Sequence, residues 1–185
     1  MLLTRSKIPD LVHGDLDSLR KDAGDFWQKN KTEITVDDDQ YSTDFGKCIK
    51  QTFKAKPEVR NIIVVGSVSG RVDQGLGTLS EMLREQRAHP SVRFWLFSEE
   101  SISFILHKGT SVIHTPLEEG LITPNIGVLP IFGPAHITTK GLEWDVKDWE
   151  TSMGSQVSTS NHIIKDEISI TTDCDVLFTV ERARS

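Results

Sequence analysis

The fold is decided by residues 61–74, which read Asn-Ile-Ile-Val-Val-Gly-Ser-Val-Ser-Gly-Arg-Val-Asp-Gln. The apolar run 62–65 predicts a strand that is covered on both faces. The loop of small residues that follows delivers Arg71 and Asp73 beyond the end of this strand. Because α/β sheets bind ligands outside the carboxyl ends of their strands, the loop is a candidate ligand site.

Helix and strand signals alternate around this segment. Residues 33–36 read as a short strand, and residues 43–53 have helical spacing, with Thr43 as a candidate N-cap. Residues 76–87 carry a helical stripe of leucine and methionine. The alternation predicts an α/β domain with a parallel sheet.

The pattern changes after Pro90, where short β-rich runs follow one another between glycines and prolines. The runs are residues 92–97, 101–106, 111–114, 126–131, 136–139, 163–171 and 176–180. Such a series predicts an all-β sandwich or barrel. The domain boundary is therefore placed between 92 and 93, which gives domains 1–92 and 93–185.

Composition restricts the classes of partner. Lysine and arginine total 21 against 27 aspartates and glutamates in 185 residues, for a net charge of −6. An acidic chain is a poor match for nonspecific nucleic-acid binding, which needs clustered basic residues. The apolar runs are too short to span a bilayer, and no signal segment opens the sequence, so no membrane partner is expected. Two cysteines, Cys48 and Cys174, suit a reducing, cytoplasmic compartment, where we expect them to be buried free thiols.

Acidic residues supply the first candidate chemistry. Asp15 and Asp17 are two positions apart, so in an extended segment both carboxylates project from one face. Gly14 would let a ligand approach the backbone. Paired carboxylates suit Mg²⁺, which prefers oxygen ligands and retains waters and substrate phosphates. The alternative is a polar turn with a capping aspartate.

A second acidic group precedes the predicted helix. Asp44 falls in its first turn, where the helix dipole stabilises a carboxylate without any function. The acidic run 37–39 reads as a solvated loop. Gln40 lies between this run and Asp44, where it can reach a substrate if the loop faces a cleft.

The third group is the loop after residues 62–65. Gly66 and Gly70, with Ser67 and Ser69 between them, can present backbone N–H groups to phosphate. The alternative for Arg71 and Asp73 is a surface ion pair. No histidine or cysteine spacing matches a zinc site, and no Walker-type lysine loop occurs.

These motifs together resemble the successive active-site motifs of the thiamine pyrophosphokinase family. The resemblance is carried by residues 14–18, 40–47, 70–74, 139–144 and 157–161, in the order of the family. It covers nearly the whole chain and implies an N-terminal α/β domain followed by a C-terminal β-sandwich in a homodimer with shared active sites. It also implies transfer of the terminal diphosphate of ATP to the hydroxyl of thiamine, which yields thiamine diphosphate and AMP.

The resemblance assigns roles to individual residues. The proposed Mg²⁺ and phosphate ligands are Asp15, Asp17, Asp44 and Asp73. Arg71 would counter charge on the transferred group. Substrate contacts fall to Gln40, Thr43, Gln74, Trp144, Ser160 and Asn161. The indole of Trp144 would pack on a thiamine ring, although a core position for Trp144, with Trp149 as a competitor, is the alternative.

Two features depart from the family pattern. Gly66-Ser67 stands where the family has two adjacent glycines. The family also carries a strand, an acidic glycine-rich motif and a helix before the motif at 14–18, so the resemblance implies that the parallel sheet is incomplete at its N-terminus. The alternative function is therefore a truncated, catalytically incomplete relative that dimerises and binds thiamine or thiamine diphosphate.

Overall fold

The computed structural model describes residues 8–66, 68 and 70–184. The chain divides into two compact units, Met1–Val59 and Arg60–Ser185. The predictions for Ser67 and Ser69 lie outside the described residues.

The first unit is a small α/β arrangement. It contains β1 (Leu11–Gly14), α1 (Lys21–Lys29), β2 (Glu33–Val36) and α2 (Asp44–Ala55), and β1 pairs with β2 in parallel. The hydroxyl of Thr43 accepts a hydrogen bond from the Gly46 N–H at 3.2 Å, which confirms the predicted N-cap of α2.

Among its described residues, the second unit contains one α-helix, a short 3₁₀ helix (Leu117–Glu119) and two sheets. Its elements are β3 (Asn61–Val65), α3 (Val72–Ala88), β4 (Arg93–Phe97), β5 (Ser101–Leu106), β6 (Gly109–His114), β7 (Ile122–Leu129), β8 (Ala135–Lys140), β9 (Trp149–Thr151), β10 (Ser158–His162), β11 (Glu167–Thr172) and β12 (Val176–Arg182). A six-stranded sheet has the order β10-β7-β12-β5-β4-β3, and a four-stranded sheet has the order β6-β11-β8-β9. Only β3 and β4 are parallel among the described pairs of these two sheets.

The core of this unit lies between the two sheets. Phe104, Val128 and Phe178 come from the six-stranded sheet, and Ile137 and Ile170 come from the four-stranded sheet; all five are buried in one apolar cluster. The arrangement is a β-sandwich, in which β8 and β11 alternate between buried and less buried residues whereas β5 and β12 carry consecutive buried residues.

The predicted division at 92/93 differs from the way the chain packs. β3 and β4 hydrogen-bond in parallel, and β4 then pairs antiparallel with β5. One continuous hydrogen-bond ladder therefore crosses position 92, and the compact units separate at Val59 instead.

The expectation that β3 is covered on both faces is wrong. β3 is the last strand in the described six-stranded order, with Ile63 62% and Val65 83% exposed. Ile62 and Val64 are partly covered, so the strand alternates despite its continuous apolar sequence. Periodicity cannot distinguish an edge strand from a central one when both faces carry apolar residues.

Other element predictions need smaller corrections. β1, β9 and β10 were not predicted, because each is short or polar; β10 reads Ser-Thr-Ser-Asn-His. The run predicted at 163–171 overlaps β11, which begins only at Glu167 and ends at Thr172. The helix predicted at 76–87 begins earlier, at Val72; its first turn was missed because Gly75 and Gly77 weaken the helical signal there.

Both cysteines are free thiols, but the prediction of burial is wrong, since Cys48 and Cys174 are exposed. Burial of the Cys48 sulfur is only partial, yet it still raises the pKa of this thiol, with the nearby Asp44 carboxylate as a second cause. Among the described helices, none combines the length and apolar character needed to cross a membrane.

Candidate active site

The first acidic motif forms a turn immediately after β1. Leu16 adopts a left-handed conformation with φ 61°, and the Asp17 N–H donates to Asp15 Oδ1 at 3.0 Å. Asp15 and Asp17 therefore lie in a polar turn and not in an extended segment, while their role as Mg²⁺ ligands stays a prediction. A carboxylate that accepts from the backbone two residues later favours a turn over a strand.

Asp44 joins this turn from the start of α2. Its Oδ1 accepts a hydrogen bond from the Asp15 N–H at 3.3 Å. Gly14 has φ +152°, and a Cβ at this position would lie 2.8 Å from Asp44 Oδ1. The positive φ favours glycine here, and the absence of a Cβ leaves room for the Asp44 carboxylate beside the backbone, where the sequence had suggested the approach of a ligand.

A buried lysine that the sequence prediction missed supports this carboxylate. Lys47 is 3% exposed, and its Nζ lies 3.7 Å from Asp44 Oδ1. The same ammonium donates to the carbonyl of Asp37 at 2.7 Å. The i,i+3 spacing of Asp44 and Lys47 on a helix was the available signal.

The acidic loop between β2 and α2 is hydrogen-bonded within itself. Asp39 accepts from the Ser42 hydroxyl at 2.6 Å and from the Tyr41 N–H at 2.9 Å. The Ser42 contact, followed by the Tyr41 contact, lowers the pKa of Asp39. Gln40 is exposed and donates to the Asp38 carbonyl at 3.3 Å, so its side chain is accessible from solvent.

In the second unit, Arg71 and Asp73 form a two-point ion pair at the start of α3. Arg71 Nε and Nη2 donate to the two Asp73 oxygens at 3.2 and 2.6 Å. This contact lowers the pKa of Asp73 and raises that of Arg71. The side chains are 75% and 63% exposed, as the surface-pair alternative expected. Gln74 follows them in the first turn of α3 and is exposed.

The glycines of this loop serve the backbone. The Gly66 N–H donates to the Phe97 carbonyl at 3.1 Å. The sequence had suggested that this amide could face a phosphate, but the protein already engages it. Gly70 adopts φ +82° with open space around its Cα. Gly75, which the sequence prediction did not single out, packs so closely that a Cβ would lie 2.7 Å from the Val68 carbonyl oxygen.

The third group of predicted residues lies on the sandwich. Asn161 is 6% exposed, and its side-chain amide accepts from the Trp144 N–H at 3.2 Å and donates to the Trp144 carbonyl at 2.9 Å. Asn161 Oδ1 also accepts from the His162 N–H at 2.8 Å. Asn161 therefore holds the backbone beneath Trp144, and its amide is already engaged by the protein.

Trp144 is exposed, whereas Trp149 is partly buried against the sandwich core. The Trp144 residue is 55% exposed, and its indole contacts the His162 ring at a centroid distance of 5.2 Å. The core alternative for Trp144 is wrong. Trp149 packs against the sandwich core and donates from Nε1 to Gln156 at 2.9 Å. Ser160 is exposed with φ 58°, in an irregularity of β10.

We expect Asn161→Ala to lower the free energy of unfolding by about 2 kcal/mol, because two backbone N–H groups and one carbonyl lose their partner. Urea denaturation would measure this change. Ser160→Ala is the matched control. Because the Ser160 side chain is exposed, this substitution should change the free energy of unfolding by less than about 0.5 kcal/mol. Equal stability of the two variants would show that the Asn161 amide is not structural.

A magnesium site needs several oxygen ligands around one position. No group of three potential ligands gathers among the described histidines, cysteines, aspartates and glutamates. Within the first unit, the Asp44 carboxylate accepts from the Asp15 backbone N–H, and the Asp15 carboxylate accepts from the Asp17 N–H. Mg²⁺ characteristically uses one or two carboxylates together with waters and substrate phosphates, so this oxygen donor set fits an ion that arrives with a nucleotide.

Fold and site together define a class: an α/β protein extended by a β-sandwich, with exposed carboxylates and an arginine in the turns after its strands. Two family models match the chain: "Thiamin pyrophosphokinase, catalytic domain" over residues 1–94 and "Thiamin pyrophosphokinase, vitamin B1 binding domain" over residues 110–177. The chain belongs to the thiamin pyrophosphokinase family, which confirms the resemblance found in the motifs.

Individual relatives agree with this assignment. Thiamine pyrophosphokinase 1 of Arabidopsis thaliana is 33% identical over 178 residues, which cover 93% of this chain and 65% of the relative. Thiamine pyrophosphokinase of Saccharomyces cerevisiae is 27% identical over 221 residues, covering 94% of this chain and 69% of the relative. The chain thus spans about two thirds of the length of these relatives.

Solved structures share the fold. The crystal structure of yeast thiamin pyrophosphokinase superposes with a TM-score of 0.84 at 25% identity, covering 95% of this chain and 70% of that one. Thiamin pyrophosphokinase from Candida albicans has a TM-score of 0.84 at 23% identity, with coverages of 95% and 75%.

Proposed function

We propose that the protein is an ATP:thiamine diphosphotransferase that forms thiamine diphosphate and AMP. The observation that carries this proposal is the match of one chain to both the catalytic and the vitamin B1 binding models of the family. Thiamine pyrophosphokinase relatives that align with more than nine tenths of the chain support it.

By the motifs shared with the family, the residues that would hold Mg²⁺ are Asp15, Asp17, Asp44 and Asp73. When bound, the ion would neutralise charge on the phosphates of ATP. Lys47 would keep the Asp44 carboxylate in place, and Gly14 would leave room for it. Gln40 and Thr43 would contact substrate from the loop between β2 and α2.

Arg71 and Asp73 would act after their ion pair opens. Both side chains are largely exposed, so separating them costs little free energy. Arg71 would then bind oxygens of the transferred diphosphate, and Asp73 would face the metal, with Gln74 contacting substrate beside it. This division of roles stabilises the charge that is redistributed when the thiamine hydroxyl displaces AMP.

Thiamine would bind on the sandwich. The exposed indole of Trp144 offers a flat surface to an aromatic ring of thiamine, and an indole face also attracts a cation such as the thiazolium. Ser160 would supply a hydroxyl contact. Asn161 contributes through Trp144, because its amide is engaged by the Trp144 backbone.

The remaining assignments are extensions of the same proposal. Residues 1–92 would supply the phosphate-handling half and residues 93–185 the thiamine-binding half. The protein would be cytoplasmic and would form a homodimer in which acidic residues of one protomer face Trp144 of its partner. The dependence on both halves is the physical basis for the complementation experiment described in the Discussion.

The experiment that tests the function is an assay of the full chain with ATP, thiamine and Mg²⁺, in which AMP and thiamine diphosphate are quantified by chromatography. We expect equal amounts of both products and loss of both with EDTA. AMP formation without thiamine diphosphate would contradict the proposal. Saturable thiamine binding without turnover would favour the alternative of a binding protein.

A further inference from the structure

The second unit contains an apolar groove that the proposed function does not use. Its volume is about 450 Å³, and it lies between one face of the six-stranded sheet and the edge strand β6. Its lining includes Ile102, Phe104 and Val180 of the six-stranded sheet, together with Val112 of β6 and Leu121. The volume is within the range of sites that enclose small organic molecules.

The mouth of the groove exposes large apolar side chains. Val112 is 55% and Leu121 64% exposed. Contiguous apolar surface that borders a concave site is characteristic of ligand binding. The lining includes neither Trp144 nor Ser160, so the groove is separate from the proposed thiamine pocket.

Arg93 lines this apolar groove without a carboxylate partner among the described residues, whereas His114, which also lines it, lies 3.6 Å from Glu167. Its Nη1 donates to the Ile105 carbonyl at 3.2 Å, and its guanidinium carbon lies 5.6 Å from the centre of the Phe104 ring. Within residues 8–66, 68 and 70–184, no carboxylate forms an ion pair with it. Desolvation lowers the pKa of Arg93, which expresses the cost of removing this cation from water.

An anion at Arg93 would offset that cost. A guanidinium carries five N–H donors, and one of them is engaged with Ile105. The remaining donors suit the two oxygens of a carboxylate. The apolar walls suit a ring or branched chain attached to that carboxylate.

We propose that the groove binds a small amphipathic carboxylate, with its anionic end on Arg93 and an aromatic or branched apolar body against Ile102, Phe104 and Val180. Thiamine is excluded because it is cationic. ATP is excluded because a polyanion matches neither the apolar walls nor the single arginine. The site therefore lies beyond the proposed catalytic function.

The test uses the full chain and three probes of the same shape: 4-phenylbutyrate, 4-phenylbutanol and 4-phenylbutylamine. Isothermal titration should show tightest binding for the anion, with the alcohol about 10-fold weaker and the amine weaker still, since a charged hydrogen bond contributes about that factor. Equal affinities for all three, or no saturable binding of 4-phenylbutyrate at millimolar concentration, would overturn the proposal.

Variants locate the site. Arg93→Gln should weaken 4-phenylbutyrate about 10-fold and leave the alcohol unchanged, whereas Arg93→Lys should retain part of the preference for the anion. Arg84→Gln removes a charge from the exposed face of α3 and is the control, which should bind as the wild type does. Unchanged binding in Arg93→Gln would refute the assignment.

A second variant at the mouth remains informative if Arg93→Gln does not fold. Leu121→Asp places a negative charge at an exposed position and should also weaken 4-phenylbutyrate. Molar mass from light scattering tests whether a second copy of the chain occupies the groove instead. If Leu121→Asp converts a dimer to a monomer and 4-phenylbutyrate does not bind the wild type, a second copy of the chain fills the groove and the proposal is wrong.

Discussion

Asp44→Asn should lower AMP formation by about 10²-fold, the scale on which enzymes lose rate when one electrostatic stabiliser is removed. The substitution is nearly isosteric, and the amide oxygen can still accept from the Asp15 N–H. The fold is therefore retained while the negative charge opposite Lys47 is lost. The measurement is turnover at saturating ATP, thiamine and Mg²⁺, together with the urea midpoint of each variant.

Asp25→Asn is the matched control for this experiment. Asp25 is an exposed aspartate of the same unit, paired with Lys21 on α1 at 2.8 Å. We expect its turnover to equal that of the wild type. Asp73→Asn, in contrast, should lose activity as Asp44→Asn does. Unchanged turnover in both Asp44→Asn and Asp73→Asn would refute the acidic site.

Mixing two inactive variants should restore activity if the site is shared between protomers. Asp73→Ala and Trp144→Ala homodimers should each be weak. Their heterodimer would contain one intact site and one doubly damaged site, and should recover up to about half of the wild-type turnover, because site residues that act as a unit lose function together. Co-refolding with two affinity tags would isolate the heterodimer for assay.

The control for complementation is a pair of variants from the same half of the chain. This pair is Asp44→Ala mixed with Asp73→Ala. If both residues serve the same site from one protomer, every site of the heterodimer contains one damaged group. No recovery of activity is therefore expected. A purified Asp73→Ala and Trp144→Ala heterodimer without recovery would be the result expected of sites closed within one chain, and would exclude the shared site.

Much of the fold was predictable because local patterns carry it. The helical spacing of residues 43–53 and the capping hydroxyl of Thr43 were visible in the sequence, and α2 confirms both. The β-rich runs after Pro90 correspond to strands of the sandwich. β10 escaped prediction because its five residues are polar and its place is set by pairing with β7.

The candidate site was predictable as a set of residues but not as an arrangement. Motif order was sufficient to select Asp15, Asp44 and Trp144. It could not show that Asp44 would occupy the space beside Gly14, because these residues are 30 positions apart and meet only when β1 packs against α2. It likewise could not show that the Asn161 amide is engaged by Trp144.

The sequence by itself determined the family, the order of the acidic and arginine motifs, and the change from alternating helices and strands to a β-rich half, because each depends on neighbouring residues. Only the tertiary structure decided that β3 lies at a sheet edge, that Lys47 is buried beside Asp44, and that Arg93 lines an apolar groove. Burial and pairing between distant segments depend on which surfaces meet, and that information is absent from any local pattern.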